Sequence, residues 1–212
     1  MFGRTVGIKY ALELLQSLKP EGATIVETGA TNCIGGCQIE GQGEATPVFS
    51  WYSQVYNGFV HTIDVVELHL SNCKELVAKR AGGQQVEYHL GVASDVIPTI
   101  EGKIDLLYID SSDDPQVALE EFNAAKEKFT PETILFIDDT HGREGNFTGK
   151  GELVYEMLIS DGGWKVAYHW QGGGQLIMVR ADIELQESLK NAEEGGRMPP
   201  CCCPECLARR GE

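Results

Sequence analysis

The sequence predicts an α/β fold: a doubly wound, mostly parallel sheet with helices on both faces and an antiparallel β-hairpin at its C-terminal end. Three observations support this. Short apolar runs rich in Ile, Val and Leu indicate buried strands. Helical patterns lie between these runs, as in parallel α/β sheets. The last two apolar runs, 164–170 and 175–180, are joined by a glycine-rich turn too short for a parallel crossover.

Apolar spacing and turn residues place the elements in order along the chain. Helical spacing over 6–18, followed by Pro20, predicts the first helix. Further helices are expected over 46–56, 71–81, 93–100, 115–129, 148–159 and 181–191. Strands are expected to end at Glu27, Asp64, Leu90, Asp110 and Asp138, ahead of the C-terminal hairpin.

Four of the predicted strands end on a carboxylate, which is an unusual feature. The acids are Glu27, Asp64, Asp110 and the Asp138-Asp139 pair. In open parallel sheets the ligand binds at the carboxyl ends of the strands. The sequence therefore places a row of acids where a ligand is expected.

Length and composition limit the possible function classes. A chain of 212 residues predicts one domain, here over 1–192, while the Gly, Pro, Cys and charge of 193–212 predict a disordered, Cys-rich tail. The sequence shows neither a bilayer-spanning apolar stretch nor a signal peptide, so we expect a cytoplasmic protein without membrane partners. The net charge of −15 disfavours contacts with phosphates, so we expect no nucleic-acid partner and a small-molecule or glycan acceptor instead.

The first two strand ends suggest a cofactor site. Gly29 follows a buried strand directly, which allows a tight turn and close approach of a ligand, and a glycine-rich connection continues to Gly43. No G-x-G-x-x-G motif is present there, which weakens a nicotinamide-binding interpretation. Asp64 can accept hydrogen bonds from ribose hydroxyls. A connection without function and a solvated strand-end acid are the alternatives for these two features.

A weaker candidate follows the third strand. Ser94 and Asp95, after Gly91, could contact an adenine edge. The pair could equally serve only as a helix cap.

The ends of the fourth and fifth strands suggest a reactive site. If these strands are neighbours, Asp110, Asp138 and Asp139 converge, and their charges repel unless a proton or a cation intervenes. Mg²⁺ suits such an oxygen-rich site, and His141 could act as a base or as a further ligand. Solvated acids are an equally open alternative. Lys150, flanked by glycines, could meet an anionic substrate group or simply begin a surface helix.

Taken together, the element order and motifs resemble the class I S-adenosylmethionine (SAM)-dependent methyltransferases, which have a Rossmann-like fold. The resemblance covers about residues 20–180 and is closest to a small bacterial branch that pairs Glu-Thr-Gly with a delayed glycine-rich loop. The matching segments here are Glu27-Thr28-Gly29 and 41–46, with further similarity at 108–111, 137–139 and 149–151. The insertion at 31–40 departs from the usual compact glycine motif.

The resemblance implies roles for individual residues. Those implied to bind SAM are Glu27, Gly29, Gly43, Thr46, Asp64, Asp95 and Asp110. Those implied to hold a divalent metal ion such as Mg²⁺ are Asp110, Asp138 and Asp139, and the expected catalytic residues are Asp110, Asp139 and His141. The expected reaction is O-methylation of a small-molecule or sugar hydroxyl. The alternatives are a nicotinamide-dependent oxidoreductase and a cofactor-binding module without catalysis.

Overall fold

The computed structural model describes residues 3–30, 45–81, 83–144, 146–170 and 174–185. The six α-helices of this part of the chain are α1 (Gly3–Leu18), α2 (Ala45–Val55), α3 (Glu67–Ala81), α4 (Ala93–Val96), α5 (Pro115–Ala125) and α6 (Glu152–Asp161). Its strands are β1 (Thr24–Thr28), β2 (Phe59–Asp64), β3 (Val86–Leu90), β4 (Ile104–Ile109), β5 (Phe129–Ile137), β6 (Thr140–Arg143), β7 (Asn146–Gly149), β8 (Trp164–Trp170) and β9 (Gln175–Arg180).

Seven strands form the main sheet, in the order β3-β2-β1-β4-β5-β9-β8. The pairs from β3 to β5 are parallel, whereas β9 pairs antiparallel with both β5 and β8. The order of strand addition changes side next to β1. The chain first adds β2 and β3 on one side of β1 and then crosses over to add β4 and β5 on the other side. The predicted Rossmann-like fold with a C-terminal antiparallel hairpin is therefore confirmed.

Two apolar layers hold the sheet between helices. One layer packs α1 and α2 on the strands, through residues such as Leu15 and Phe49. The other packs α4, α5 and α6 on the opposite face, through residues such as Phe122 and Leu158. Burial on both faces explains why the central strands are almost continuously apolar.

One region differs from the sequence prediction. Residues 148–159 are not a single helix: β6 and β7 form a separate antiparallel pair, and α6 begins at Glu152. Gly149 has a φ of +81°, and a Cβ there would overlap the carbonyl oxygen of Asp139. The backbone therefore turns sharply where the predicted helix would run.

Two helix boundaries also differ. α3 begins at Glu67 rather than at Ser71, because the Asp64 carboxylate accepts a hydrogen bond from the Val66 N–H at 2.7 Å and caps the turn before the helix. The predicted helix over 181–191 is not formed in its described part, 181–185. There the Ala181 carbonyl accepts a hydrogen bond from Lys165 Nζ at 3.0 Å instead of continuing a helix.

Some predictions fall on other parts of the chain. The glycine-rich connection, including Gly43, and the Cys-rich tail at 193–212 lie outside the described residues, so the division into a domain over 1–192 and a tail stays a prediction. Within the described ranges, no helix has the combined length and apolar character needed to cross a membrane.

Candidate active site

Four strand-end acids meet along one edge of the sheet, because β2, β1, β4 and β5 are consecutive parallel neighbours. Glu27 is the next-to-last residue of β1 and Asp64 is the last residue of β2. Asp110 and Asp138 directly follow β4 and β5. The aspartates were expected to converge only if β4 and β5 are neighbours, and these two strands do pair. The edge therefore has a β1–β2 half and a β4–β5 half.

Glu27 is deeply buried, with 1% of its surface exposed. Its Oε2 accepts hydrogen bonds from the hydroxyls of Thr46, at 2.7 Å, and Thr62, at 2.9 Å. Burial raises the pKa of Glu27 to about 8, although both hydroxyls act in the opposite direction. This carboxyl therefore favours its protonated form near neutral pH.

Thr46 lies in the first turn of α2 and is fully buried. Its hydroxyl contacts Glu27, so the structure connects these two predicted cofactor residues directly. The contact fixes the start of α2 over the end of β1.

Gly29 has a specific backbone requirement. Its φ is +86°, and a Cβ at this position would overlap the carbonyl oxygen of Asp110. Its N–H donates to the carbonyl of Ile63 at 2.8 Å. Only glycine allows the chain leaving β1 to pass this close to the chain leaving β4.

Asp64 organises the chain around the end of β2. Its Oδ2 accepts from the Ala30 N–H at 2.9 Å and lies 3.2 Å from His69 Nδ1, while its Oδ1 accepts from the Val66 N–H. A carboxylate has about four acceptor positions. Among the described residues, three groups thus surround Asp64, and one of them contacts Oδ1.

Exposed apolar side chains surround this end of β2 and β3. Val65 is 63% exposed, Leu90 is 57% exposed and Val92 is 53% exposed, and Val66 lies beside them. Asp95 is exposed in α4, which follows the same strand end. The β1–β2 half therefore combines carboxylate acceptors with an apolar surface.

In the β4–β5 half, Asp138 is fully buried, whereas the side chains of Asp110 and Asp139 are about a quarter exposed. The hydroxyl of Tyr108 lies 3.0 Å from Asp138 Oδ2 and 3.2 Å from Asp110 Oδ2. Burial, followed by the charges of Asp110 and Asp138, raises the pKa of Tyr108 well above its usual value. Tyr108 is therefore a hydrogen-bond donor to these acids.

Lys150 supplies the cation of this half. Its Nζ lies 2.6 Å from Asp110 Oδ1 and 3.0 Å from Asp139 Oδ2, and its side chain is only 3% exposed. Burial acts to lower the pKa of Lys150, but the charges and hydrogen bonds of Asp110 and Asp139 outweigh it, so the pKa lies above its usual value. Lys150 stays charged and joins the two acids.

The placement of Lys150 bears on the predicted metal ion. Ligand atoms of Asp110, Asp138 and Asp139 lie within 4.8 Å of one another, a spacing compatible with one ion. However, the ammonium of Lys150 lies between two of the three carboxylates. A metal fits this arrangement only if Lys150 moves away, so the metal ion stays a prediction.

His141 lies in β6 and is exposed. A Cβ on Gly174 would contact both its imidazole and the backbone of Asp139, so the three residues meet at one point. Thr140 also donates its N–H to the Gly174 carbonyl at 2.5 Å. The short β6–β7 pair therefore holds His141 beside the acid cluster.

One buried acid that the sequence analysis did not single out contacts residues next to the site. Glu121 of α5 is 2% exposed and accepts hydrogen bonds from Thr28 Oγ1, at 2.7 Å, and Ser111 Oγ, at 2.5 Å. Burial raises its pKa, and the two hydroxyls oppose this. The bonds tie α5 to the residues that follow β1 and β4. The only sequence signal was an acid on the apolar face of a helix.

A family model connects this geometry to known proteins. Residues 37–140 match the model of a methyltransferase domain, a segment that runs from the connection after β1 to the acids after β5. The chain belongs to the class I SAM-dependent methyltransferases. The resemblance predicted from Glu27-Thr28-Gly29 and the strand-end acids is confirmed.

Solved methyltransferase structures share the fold at low identity. The O-methyltransferase TomG from Streptomyces achromogenes, involved in tomaymycin synthesis and solved with SAM, is 19% identical, with a TM-score of 0.56 over 80% of this chain and 78% of TomG. An rRNA methylase from Streptococcus thermophilus is 13% identical, with a TM-score of 0.56 over 80% of this chain and 93% of that protein. No protein of curated function matches this methyltransferase.

The prediction that nucleic acid is excluded as a partner is wrong. It rested on the net charge of −15, yet an rRNA methylase is among the proteins that share this fold. Net charge sums over the whole surface, whereas an acceptor is bound by a local surface, and one fold serves many acceptors. Bulk charge therefore does not decide the acceptor of this methyltransferase.

Proposed function

We propose that this methyltransferase transfers the methyl group of SAM to an oxygen atom of a small-molecule or sugar hydroxyl. The observation that carries the proposal is the position of the Asp110–Lys150–Asp139 cluster immediately beside the Gly29 and Asp64 strand ends. The first group is suited to proton transfer and the second to cofactor binding. Both lie on one edge of the sheet.

Adenosine fits the chemistry of the β1–β2 half. Asp64 Oδ1 accepts one hydrogen bond from the described residues and could also accept one from a ribose hydroxyl, and a second hydroxyl would bind if His69 moved from Oδ2. The exposed apolar side chains of Val65, Leu90 and Val92 offer a surface for a purine ring. Solved structures of similar fold that contain SAM, such as TomG, agree with this choice of cofactor.

The charge of the β4–β5 half also suits SAM. When ionised, Asp110, Asp138 and Asp139 outnumber the single ammonium of Lys150. The cluster then retains negative charge facing the position proposed for the sulfonium. Attraction to a cation is stronger in such a partly dehydrated site than in water.

SAM supplies an electrophilic methyl group on a positively charged sulfur. The acceptor oxygen forms a bond to the methyl carbon as the carbon–sulfur bond breaks, which leaves S-adenosylhomocysteine and one proton from the hydroxyl. Asp110 and Asp139 are about a quarter exposed and can take this proton. Most of the rate enhancement would come from holding the hydroxyl in line with the methyl group.

The neighbouring residues have separate roles in this scheme. Lys150 is charged and cannot act as the base, but it fixes the orientation of both carboxylates. Asp138 is fully buried beneath them and positions Tyr108. His141, exposed beside Asp139 and Gly174, would flank the acceptor.

The test is turnover of SAM with a panel of phenols, sugars and hydroxylated natural products, measured as S-adenosylhomocysteine formed. On an accepted substrate, Asp110→Asn and Asp139→Asn should each reduce turnover by at least about 100-fold, the range of a lost general base. The exposed Asp161→Asn serves as the control, since Asp161 ends α6 at the opposite edge. Full turnover by both site variants would contradict the proposal.

RNA is a second candidate acceptor, favoured by the similarity to the rRNA methylase from Streptococcus thermophilus. Incubation with ribosomal RNA and SAM carrying a labelled methyl group tests it directly. Label recovered in RNA, with no product from the hydroxyl panel, would assign the activity to RNA.

The two alternative functions predict different titrations. A nicotinamide-dependent oxidoreductase should bind NADH and not SAM, whereas the methyltransferase should show the reverse in side-by-side calorimetry. A cofactor-binding module would bind SAM tightly and turn over none of the acceptors.

A further inference from the structure

Two histidines and a glutamate form a cluster on the outer strands, away from the β4–β5 acids. In the parallel register of β2 and β3, His61 lies opposite Glu87 and Ile63 lies opposite His89. Alternate residues of a strand share a face, so His61, Glu87 and His89 project from the same side of the sheet. This is the side of Ile63, whose apolar layer includes α4, α5 and α6.

The ligand atoms of this cluster are already close together. His61 Nδ1 lies 3.1 Å from His89 Nε2 and 3.5 Å from Glu87 Oε2, and His89 Nε2 lies 3.9 Å from Glu87 Oε2. Around a tetrahedral ion with bonds of about 2.0–2.1 Å, ligand atoms are roughly 3.3 Å apart. The three distances bracket that value, so the atoms form one face of a metal-binding tetrahedron.

The two histidines of the cluster are mostly buried, whereas the glutamate is exposed. The side chains of His61 and His89 are 11% and 19% exposed, whereas that of Glu87 is 56% exposed. Burial, and then the neighbouring His89, lowers the pKa of His61, while Glu87 acts in the opposite direction. The exposed Glu87 leaves an entry path from solvent.

We propose that His61, Glu87 and His89 bind a divalent transition-metal ion of the zinc type, with a fourth position open to water. Two imidazoles and one carboxylate are a ligand set that zinc uses in proteins. The ion would join the edge strand β3 to β2. β3 contains no buried residue, in contrast to the four of β2, so an additional link would secure it.

The predicted Cys-rich tail requires a probe that distinguishes thiolate from nitrogen and oxygen ligands. Co²⁺ meets this need, because thiolate ligation adds intense charge-transfer absorption that imidazole and carboxylate ligation lacks. Titration of the full chain should give the visible spectrum of one four-coordinate nitrogen- and oxygen-ligated Co²⁺, displaced by added Zn²⁺. Absence of this spectrum, or a spectrum of thiolate ligation alone, would overturn the proposal.

Variants connect the spectrum to these residues. His89→Asn should abolish the signal and Glu87→Gln should weaken Co²⁺ binding at least about tenfold, since even the loss of an outer partner costs that much. Glu87→Gln changes an exposed residue and should leave the fold intact. The matched control Glu75→Gln, on the exposed surface of α3, should bind as the wild type does. Equal binding by Glu87→Gln and Glu75→Gln would refute the site.

A thermal measurement tests the proposed link between strands. Zn²⁺ should raise the melting temperature of the wild type and not that of His89→Asn, because an ion that binds only the folded chain stabilises it. Asp139→Asn should keep the full Zn²⁺ response, which separates this site from the β4–β5 acids. Loss of the response in Asp139→Asn, with retention in His89→Asn, would place the ion at the acids instead.

Discussion

The two halves of the strand-end edge hold their carboxylates by different means. In the β1–β2 half, Glu27 and Asp64 accept hydrogen bonds from threonine hydroxyls and backbone N–H groups. In the β4–β5 half, Asp110 and Asp139 share the ammonium of the buried Lys150. Hydroxyls and backbone N–H groups, with His69 beside Asp64, serve one half, and a buried ammonium serves the other.

In the proposed mechanism, this difference separates cofactor binding from proton transfer. Neutral donors do not offset the cost of burying a charge at Glu27, so its pKa rises to about 8 and the acid keeps its proton. An ammonium offsets that cost directly, because Lys150 Nζ contacts one carboxylate oxygen of Asp110 and one of Asp139. The comparison predicts that charge changes matter most in the β4–β5 half.

The largest expected effect comes from removing the cation. Lys150→Met leaves two carboxylates facing each other in a partly dehydrated site, and we expect a loss of about 3 kcal/mol in the free energy of unfolding. Urea denaturation measures it. The control Lys79→Met removes an exposed ion pair with Glu75 and should change the free energy of unfolding far less, because water screens an exposed pair. Equal stability of the two variants would break the comparison.

The same variant sharpens the metal prediction. If Mg²⁺ restores the stability of Lys150→Met and leaves the wild type unchanged, then the acids can hold a divalent ion. In the wild type, the ammonium of Lys150 would then occupy the position of that ion. If Mg²⁺ has no effect on either protein, the acids are not a metal site.

The next largest effect is expected at Asp64. Asp64→Asn keeps an acceptor for the Val66 N–H but loses the charge, so we expect binding of S-adenosylhomocysteine to weaken roughly 10- to 100-fold with little change in stability. Calorimetric titration measures the affinity, with Asp161→Asn as the exposed control. Unchanged affinity in Asp64→Asn would remove Asp64 from the cofactor site.

A smaller effect is expected from Glu27, and its sign depends on pH. The pKa of Glu27 in the folded chain, about 8, exceeds its ordinary value of 4.5, so between these values the folded state binds a proton that the unfolded chain has lost. Stability should therefore fall as pH rises through this window, by about 1 kcal/mol per pH unit.

Glu27→Gln tests this by removing the titrating group while keeping an acceptor for Thr46 and Thr62. Urea denaturation from about pH 5 to about pH 8 should show a flatter dependence in Glu27→Gln than in the wild type or in the exposed control Glu101→Gln. Identical slopes in all three proteins would mean that Glu27 is ionised throughout.

The smallest effect is expected at Asp95. It is exposed in the short helix α4, so Asp95→Asn should weaken S-adenosylhomocysteine binding by no more than about threefold, less than 1 kcal/mol. A tenfold loss would give Asp95 a direct role beside the apolar residues Leu90 and Val92.

The sequence predicted the strand-end acids because buried parallel strands are continuous apolar runs, and the residue that ends such a run is easily read. It did not predict that Lys150 reaches Asp110 and Asp139, because the contacts span 40 and 11 residues. The β6–β7 pair was missed for a related reason. Thr148 and Gly149 lack an apolar alternation, and their strand depends on pairing with Thr140 and His141.

By itself, the sequence determined the α/β fold, the C-terminal hairpin and the acids at the ends of the strands, since these follow from local apolar patterns and turn residues. Only the tertiary structure decided which acids are neutral and which are paired with a charge. Burial raises the pKa of Glu27, and a distant lysine gives Asp110 and Asp139 a charged partner. Neither property is local in the chain, so both emerge only when the strands are side by side.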